Sequence, residues 1–137
     1  MRVTKPRRAK SWRKKLLAEF KPLIKARDGR CLNGGNLGGS CGGHLHCSHI
    51  WPEGEYSCLA LHPLNAVSLC TKHHLWWWHK NILAAAEWLP GVLGEDWMFE
   101  VWRLRVTSSV FKNYKWNDWL ELWIEYDLVK EKDVSYE

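Results

Sequence analysis

The residues able to do chemistry crowd into one stretch of the chain. All seven histidines fall between positions 44 and 79, and all five cysteines between 31 and 70. Read in order they give His46-Cys47-Ser48-His49, then Asn65, then Cys70-Thr71-Lys72-His73-His74. Imidazoles titrate near neutrality and serve both as general bases and as metal ligands. Thiolates beside them favour zinc. The cluster therefore points to metal binding coupled to acid–base chemistry.

Cys70 and His73 are three apart at the start of a helical stretch, which sets them on one face. Cys31 and Cys41 flank a loop with seven glycines between positions 29 and 43. Two loop thiolates and the Cys-x-x-His pair would complete a tetrahedral Cys3His shell for a structural zinc ion. The Cys31–Cys41 spacing is wider than usual for a zinc knuckle, but glycines let a long knuckle fold tightly. Cys47 is an alternative to either loop cysteine, and Cys58 is spare. The plainer alternative is a set of buried free thiols.

Successive residues on an α-helix lie about 100° apart, so His73 and His74 suit two different sites. His79, five residues beyond His74, would lie about 140° round an α-helix, away from the site of His74. Phosphodiester hydrolysis needs a base for water, a cation for the developing charge and a group that orients the base. His49 at the end of a strand can be the base. Asn65 can hold its imidazole or pin the loop. His74 can bind the cation. His44 and His62, taken alone, read as surface or packing residues.

Arg27-Asp28-Gly29-x-Cys31, His46-x-Ser48-His49-Ile50, His62-Pro63-x-Asn65-Ala66, Leu69-Cys70-x-x-His73-His74 and Asn81 resemble the HNH endonucleases, in particular their small phage-type branch. The resemblance covers about residues 27–89. It implies an α+β chain with a small ββα-metal (His-Me finger) core and a zinc knuckle, flanked by N- and C-terminal helices. It implies His49 as general base, Asn65 as orienting residue and His74 as ligand of a catalytic Mg2+, Mn2+ or Zn2+. It also implies a DNA substrate, and a phage-encoded protein at work in the cytoplasm of a bacterial host. Three departures stand out. His73 replaces the second cysteine of the helix pair. Cys31…Cys41 stretches the first pair. Ser48 stands where many members place Asp or His; a serine hydroxyl is a poor ligand, so His46, a water, or His74 by itself has to make up the shell. The arginine that often follows the first strand in this branch is missing, since Ile50-Trp51-Pro52-Glu53 stands there.

The elements that must position these residues are legible in outline. Lys10 to Phe20 reads as a helix that Pro22 breaks or restarts, followed by a turn ended by Asp28-Gly29. His44–Trp51 and Ala66–Leu69 read as short strands, and Pro52–Glu55 as a turn. Thr71 opens a helix running to about Leu89, which Pro90-Gly91 ends. Trp97 to Lys132 is amphipathic, with Trp116, Trp119, Leu120 and Trp123 at helical spacing. The tail after Lys130 reads as frayed. The parts are a basic arm and helix (1–30), the metal core (31–90) and a Trp-rich helical extension (91–137).

Composition bounds the partners. The chain has 137 residues, eleven of them Trp, and a net charge of +5 that hides an asymmetry. Residues 1–30 hold twelve Lys/Arg against two acids, whereas residues 31–137 carry a net of −5. Lys5, Arg7, Arg8, Lys10, Arg13, Lys14 and Lys15 form a basic arm suited to phosphate contacts without sequence readout. No apolar run reaches the roughly 18 residues of a membrane span, and no signal segment opens the chain, so a reducing interior is expected. A zinc-stabilised DNA-binding accessory protein without nuclease activity is the alternative that Ser48 favours. Trp76-Trp77-Trp78 cannot all face one core, which adds an interface, a homodimer through the C-terminal region or stacking on unpaired bases, to the expectations.

Overall fold

The computed structural model describes residues 3–4, 11–35 and 37–135; Lys5, Arg7, Arg8 and Lys10 lie outside them. In chain order come β1 (Val3–Thr4), α1 (Trp12–Asp28), β2 (Leu45–His49), β3 (Ala66–Cys70), a π-helical turn (Lys72–Trp78), α2 (Ile82–Leu93), α3 (Glu95–Val106), α4 (Trp116–Glu125) and β4 (Val134–Ser135), with short 3-10 turns between them. The class is α+β. No helix among the described residues is long and apolar enough to cross a membrane.

α1 buries Trp12, Leu16, Phe20 and Ile24, a four-residue repeat that makes one continuous stripe. Pro22 lies inside it without ending it. Pro22 and Ala18 are both exposed, so the carbonyl that loses its partner faces water, and the stripe on the far side holds the two halves in line. Gly29 stops the helix with φ 70° and an N–H bonded to the Lys25 carbonyl at 2.8 Å.

β2 and β3 pair antiparallel, from Leu45 opposite Cys70 to His49 opposite Ala66. Every residue of β3 is buried, because both faces of the hairpin are covered. One face meets α1, where Ser68 Oγ donates to the Ile24 carbonyl and His49 stacks on Phe20. Alternation then puts His46 and Ser48, opposite Leu69 and Val67, on the other face. Arg27 and Asp28 fasten α1 to this hairpin. Arg27 donates to the Pro63 and Ala66 carbonyls at 2.7 Å each, and Asp28 accepts from the Ser68 amide at 2.8 Å.

The segment after β3 departs from the expected single helix. It opens as a π-turn, with the His79 amide bonded to the His74 carbonyl five residues back, and α2 starts afresh at Ile82. α2 then runs through Pro90, another exposed proline, to Gly94. The C-terminal stretch forms α3 and α4, and Trp119, Leu120 and Trp123 are buried as their spacing requires. They share one core with α1, Leu59, Leu61, Leu128 and Val129. A second cluster gathers Cys31, Val67, Leu69 and Cys70 with Trp78, Trp88 and Trp97 around it. Where the tail after Lys130 is expected to fray, its described residues 131–135 form a 3-10 turn that leads into β4, which pairs in parallel with β1.

Candidate metal centre and imidazole cleft

Cys31, Cys41, Cys70 and His73 meet as a group whose ligand atoms all lie within 4.8 Å of one another. The His73 Nδ1 is 3.6 Å from the Cys31 and Cys41 sulfurs and 3.1 Å from that of Cys70. Zinc bonds of about 2.3 Å to sulfur and 2.0–2.1 Å to nitrogen put tetrahedral S···N edges near 3.6 Å. The group can therefore hold a metal ion such as zinc. His73 is fully buried, and its Nε2–H donates to the Gly39 carbonyl at 3.0 Å. That bond leaves the Nδ1 lone pair facing the sulfurs, the usual outer support of a metal-bound imidazole.

The surroundings prepare Cys70 as a thiolate. Desolvation raises its pKa, but the Gly42 and His73 amides, 3.5 and 3.4 Å from its sulfur, together with the His73 ring and Cys31, outweigh it and bring the thiol down to about 6. Cys41 is pushed up to about 11, by desolvation first and by Cys31 and Cys70 next. Binding an ion would release the thiol protons that remain. The long glycine loop is needed for packing. Gly38, at φ 73°, lies so close to Trp77 that an added Cβ would sit 2.6 Å from its ring. Trp77 in turn stands edge-on to His73 at 6.0 Å and walls the group off. Cys47 lies on the α1 face of the sheet instead, where burial pushes its thiol up to about 12. It is not part of the cluster.

A second group of side chains lies across the π-turn. His49 and His74 line one cavity of about 670 Å³ together with Glu53, His79, Trp78 and Trp102. The His49 Nε2–H donates to the Ala60 carbonyl at 2.9 Å, while Nδ1 lies 3.9 Å from Glu53. Burial holds the His49 pKa below its ordinary value, against the opposing pull of Ala60 and Glu53. His74 falls to about 4, through burial and then the neighbouring His79, His46, His49 and Lys21. Both rings are therefore neutral at pH 7, with lone pairs to offer.

His46 reaches the same place, its Nδ1 2.9 Å from His74 Nδ1. Ser48 is fully buried, and its Oγ has no hydrogen-bond partner among the described residues. The hydrogen bonds of the Asn65 side chain go elsewhere than to His49. Its Oδ1 accepts from the Trp51 amide at 2.8 Å and its Nδ2 donates to the Trp51 and Leu59 carbonyls at 3.2 Å. Of its two expected jobs, Asn65 does the pinning: it ties the exit of β2 to the loop that supplies the Ala60 carbonyl. His62 packs in the core against Phe111, Trp119 and Tyr126, and His44 is exposed.

The expectation for His79 fails. Its Nε2 is 3.0 Å from His74 Nε2, because the i→i+5 bonding of a π-turn widens the helix and stacks residues five apart. No spacing rule for α-helices would have found it. On the basic arm, Arg13 and Lys14 are exposed at the start of α1 and Lys15 is half-buried; Arg13 lies over the Trp12 ring at 4.7 Å. Of the three adjacent tryptophans, Trp77 is buried, Trp78 half-buried and Trp76 62% exposed. No family model, curated protein or solved structure matches the chain.

Proposed function

We propose that this protein is a metal-dependent DNA endonuclease of the HNH type, with β2, β3 and the helical segment after them as its ββα-metal core and the Cys3His group as its structural zinc site. One observation carries the reading: His49 is anchored through Nε2 on a backbone carbonyl and lines the same cavity as His74. A histidine so held presents Nδ1 as a base of fixed direction.

His49 Nδ1 takes a proton from a water molecule, whose oxygen attacks the phosphorus. The bond from phosphorus to the 3′ oxygen breaks, leaving a 5′ phosphate, and the proton on His49 returns to solvent or to the leaving oxygen. His74, with His46 beside it and not Ser48, would hold a divalent cation, which would supply charge neutralisation for the phosphorus and the departing oxygen. Ala60 fixes the tautomer of the base, and Asn65 holds the loop that carries Ala60. Lys5, Arg7, Arg8, Lys10, Arg13, Lys14 and Lys15 would neutralise backbone phosphates.

Nicking of supercoiled plasmid in Mg2+, Mn2+, Zn2+ or Ni2+ tests the assignment. His49→Ala should lower the rate about 100- to 10,000-fold with zinc content unchanged; equal rates for variant and wild type would remove His49 from the mechanism. A zinc-stabilised DNA-binding protein is the second reading, favoured by the buried, unpartnered Ser48 where a carboxylate ligand would help catalysis. Tight DNA binding with no cutting in any of these ions would decide for it.

A further inference from the structure

The cavity beside His49 and His74 is larger than an attacking water and a phosphate require, and most of its wall is apolar. From α2 it is lined by Ile82, Ala85, Ala86 and Leu89, which recur at the spacing of one helix face. Val101 and Trp102 line it from α3. Packed helices normally close on each other with larger side chains; Ala85 and Ala86 leave room instead. Lys21, His49, His74 and His79 bring polar groups to the same space from α1, β2 and the π-turn, and Glu53 brings a carboxylate.

This combination suits a flat ring joined to an anion. The volume of about 670 Å³ lies within the range of small-molecule sites, about 300–1,000 Å³. Trp102 is 53% exposed, and it meets Trp51 edge-on at 5.4 Å, so ring surface remains for a planar guest. Aromatic side chains stack on nucleobases of any sequence, because every base has a π-face. A base inside a duplex has both faces covered by its neighbours and offers nothing to the indole. A base outside the stack offers a whole face, and the phosphate attached to it suits Lys21 and the imidazoles. Glu53 can accept from an exocyclic amine of such a base.

We infer that the cavity takes up one unpaired nucleobase, stacked on Trp102, with the adjoining phosphate at His49 and His74. The substrate is then DNA with a base out of the helical stack, whether in a single strand or at a bulge. The inference rests on the proposed function for the cut and names the substrate class of that site; the binding stands apart from the cut. Pulling a base out of an intact duplex costs unpairing and unstacking, and the cost is least where the base has no partner. The cavity thereby selects unpaired positions without reading sequence.

The experiment is fluorescence anisotropy with the zinc-loaded full chain and no other divalent ion. Four labelled DNAs share one sequence: a single strand, a perfect duplex, a duplex with one bulged nucleotide, and that duplex with an abasic residue at the bulge. The single strand and the bulge should bind at least about 10-fold more tightly than the perfect duplex, and the abasic bulge should bind like the perfect duplex. Trp102→Ala should weaken binding of the bulge about 5- to 100-fold and leave the perfect duplex unchanged, while Trp102→Phe, which keeps a ring, should recover most of the loss. Ala86→Phe fills the cavity and should match Trp102→Ala. Both positions are exposed, so the urea midpoints should stay at the wild-type value. Equal affinity for the bulge with and without its base, or a bulge affinity untouched in both Trp102→Ala and Ala86→Phe, overturns the inference. Base-dependent binding with none of the four DNAs cut in any metal ion would leave the pocket standing and remove the nuclease. Cutting of the perfect duplex, with all four DNAs bound alike, would do the reverse.

Discussion

His73 and His74 are adjacent in sequence and end in unlike places. His73 lies among three sulfurs, 0% exposed, its outer nitrogen on a carbonyl and an indole closing the last side. His74 lies among imidazoles at the rim of a cavity, half-covered. The first setting is closed and soft, suited to an ion that never leaves and never meets substrate. The second leaves room for water and a phosphate. One helical step separates a donor enclosed by sulfurs from one that opens on a cavity, and the side chains around each make the difference.

The largest effect expected from breaking this contrast is on folding. Cys70→Ser should abolish zinc retention and cost about 5 kcal/mol or more, since metal binding energy is folding energy at such sites. His74→Ala should keep its zinc and its urea midpoint while losing plasmid nicking. A matched drop in midpoint for both variants would erase the distinction between the two sites.

His62 offers a third setting, with no metal ligand near it, and sharpens the comparison through pH. Burial among aromatic rings lowers its pKa to about 4 from 6.5. The unfolded chain therefore takes up a proton first. The contribution is fully present above pH 6.5, and about 3 kcal/mol of it is lost as pH falls from 6.5 to 4. Acid also strips thiolates, so the quantity to measure is the difference between wild type and His62→Phe in urea unfolding at pH 7 and pH 4.5. A difference that does not change with pH would mean the fold leaves the ring's affinity for a proton as it is in the unfolded chain.

Asn65→Ala strips three hydrogen bonds from a buried loop and should cost about 2 kcal/mol, with slower nicking through a displaced Ala60 carbonyl. Thermal melts and nicking rates together check it; an unaffected rate would mean the carbonyl keeps its place without the amide. The smallest effect belongs to the arm. Trp12 is buried, so truncation through it would damage the core and confuse the result. Arg13→Gln with Lys14→Gln should weaken DNA binding modestly and flatten the slope of log affinity against log salt by about 1 per charge removed. An unchanged slope would take this end of α1 off the DNA.

Much of this was written in the residues. The cysteines, the Cys-x-x-His pair and both strands were legible because thiols, spacing and short apolar runs act locally. The two prolines misled, because whether a proline ends a helix depends on whether its orphaned carbonyl can face water, as at Ala18. Asn65 gave its type but not its job, since its partners Trp51 and Leu59 come together only once the loop closes. His79 was misplaced for a deeper reason. Angular bookkeeping assumes an α-helix, and a π-turn forms where tertiary demands on both ends of a segment outweigh its preferred winding. Here one end is pinned by His73 on the sulfurs and the other by Trp77 and Trp78 against Trp88.

The pairing of β1 with β4 sets positions 3–4 alongside positions 134–135. A donor dye attached before the first pair and an acceptor after the second would transfer energy efficiently in the native state. An unfolded chain of this length spreads to a radius of gyration of about 40 Å, so the transfer would collapse on denaturation. The two flanks thus form a ready optical gauge of global unfolding.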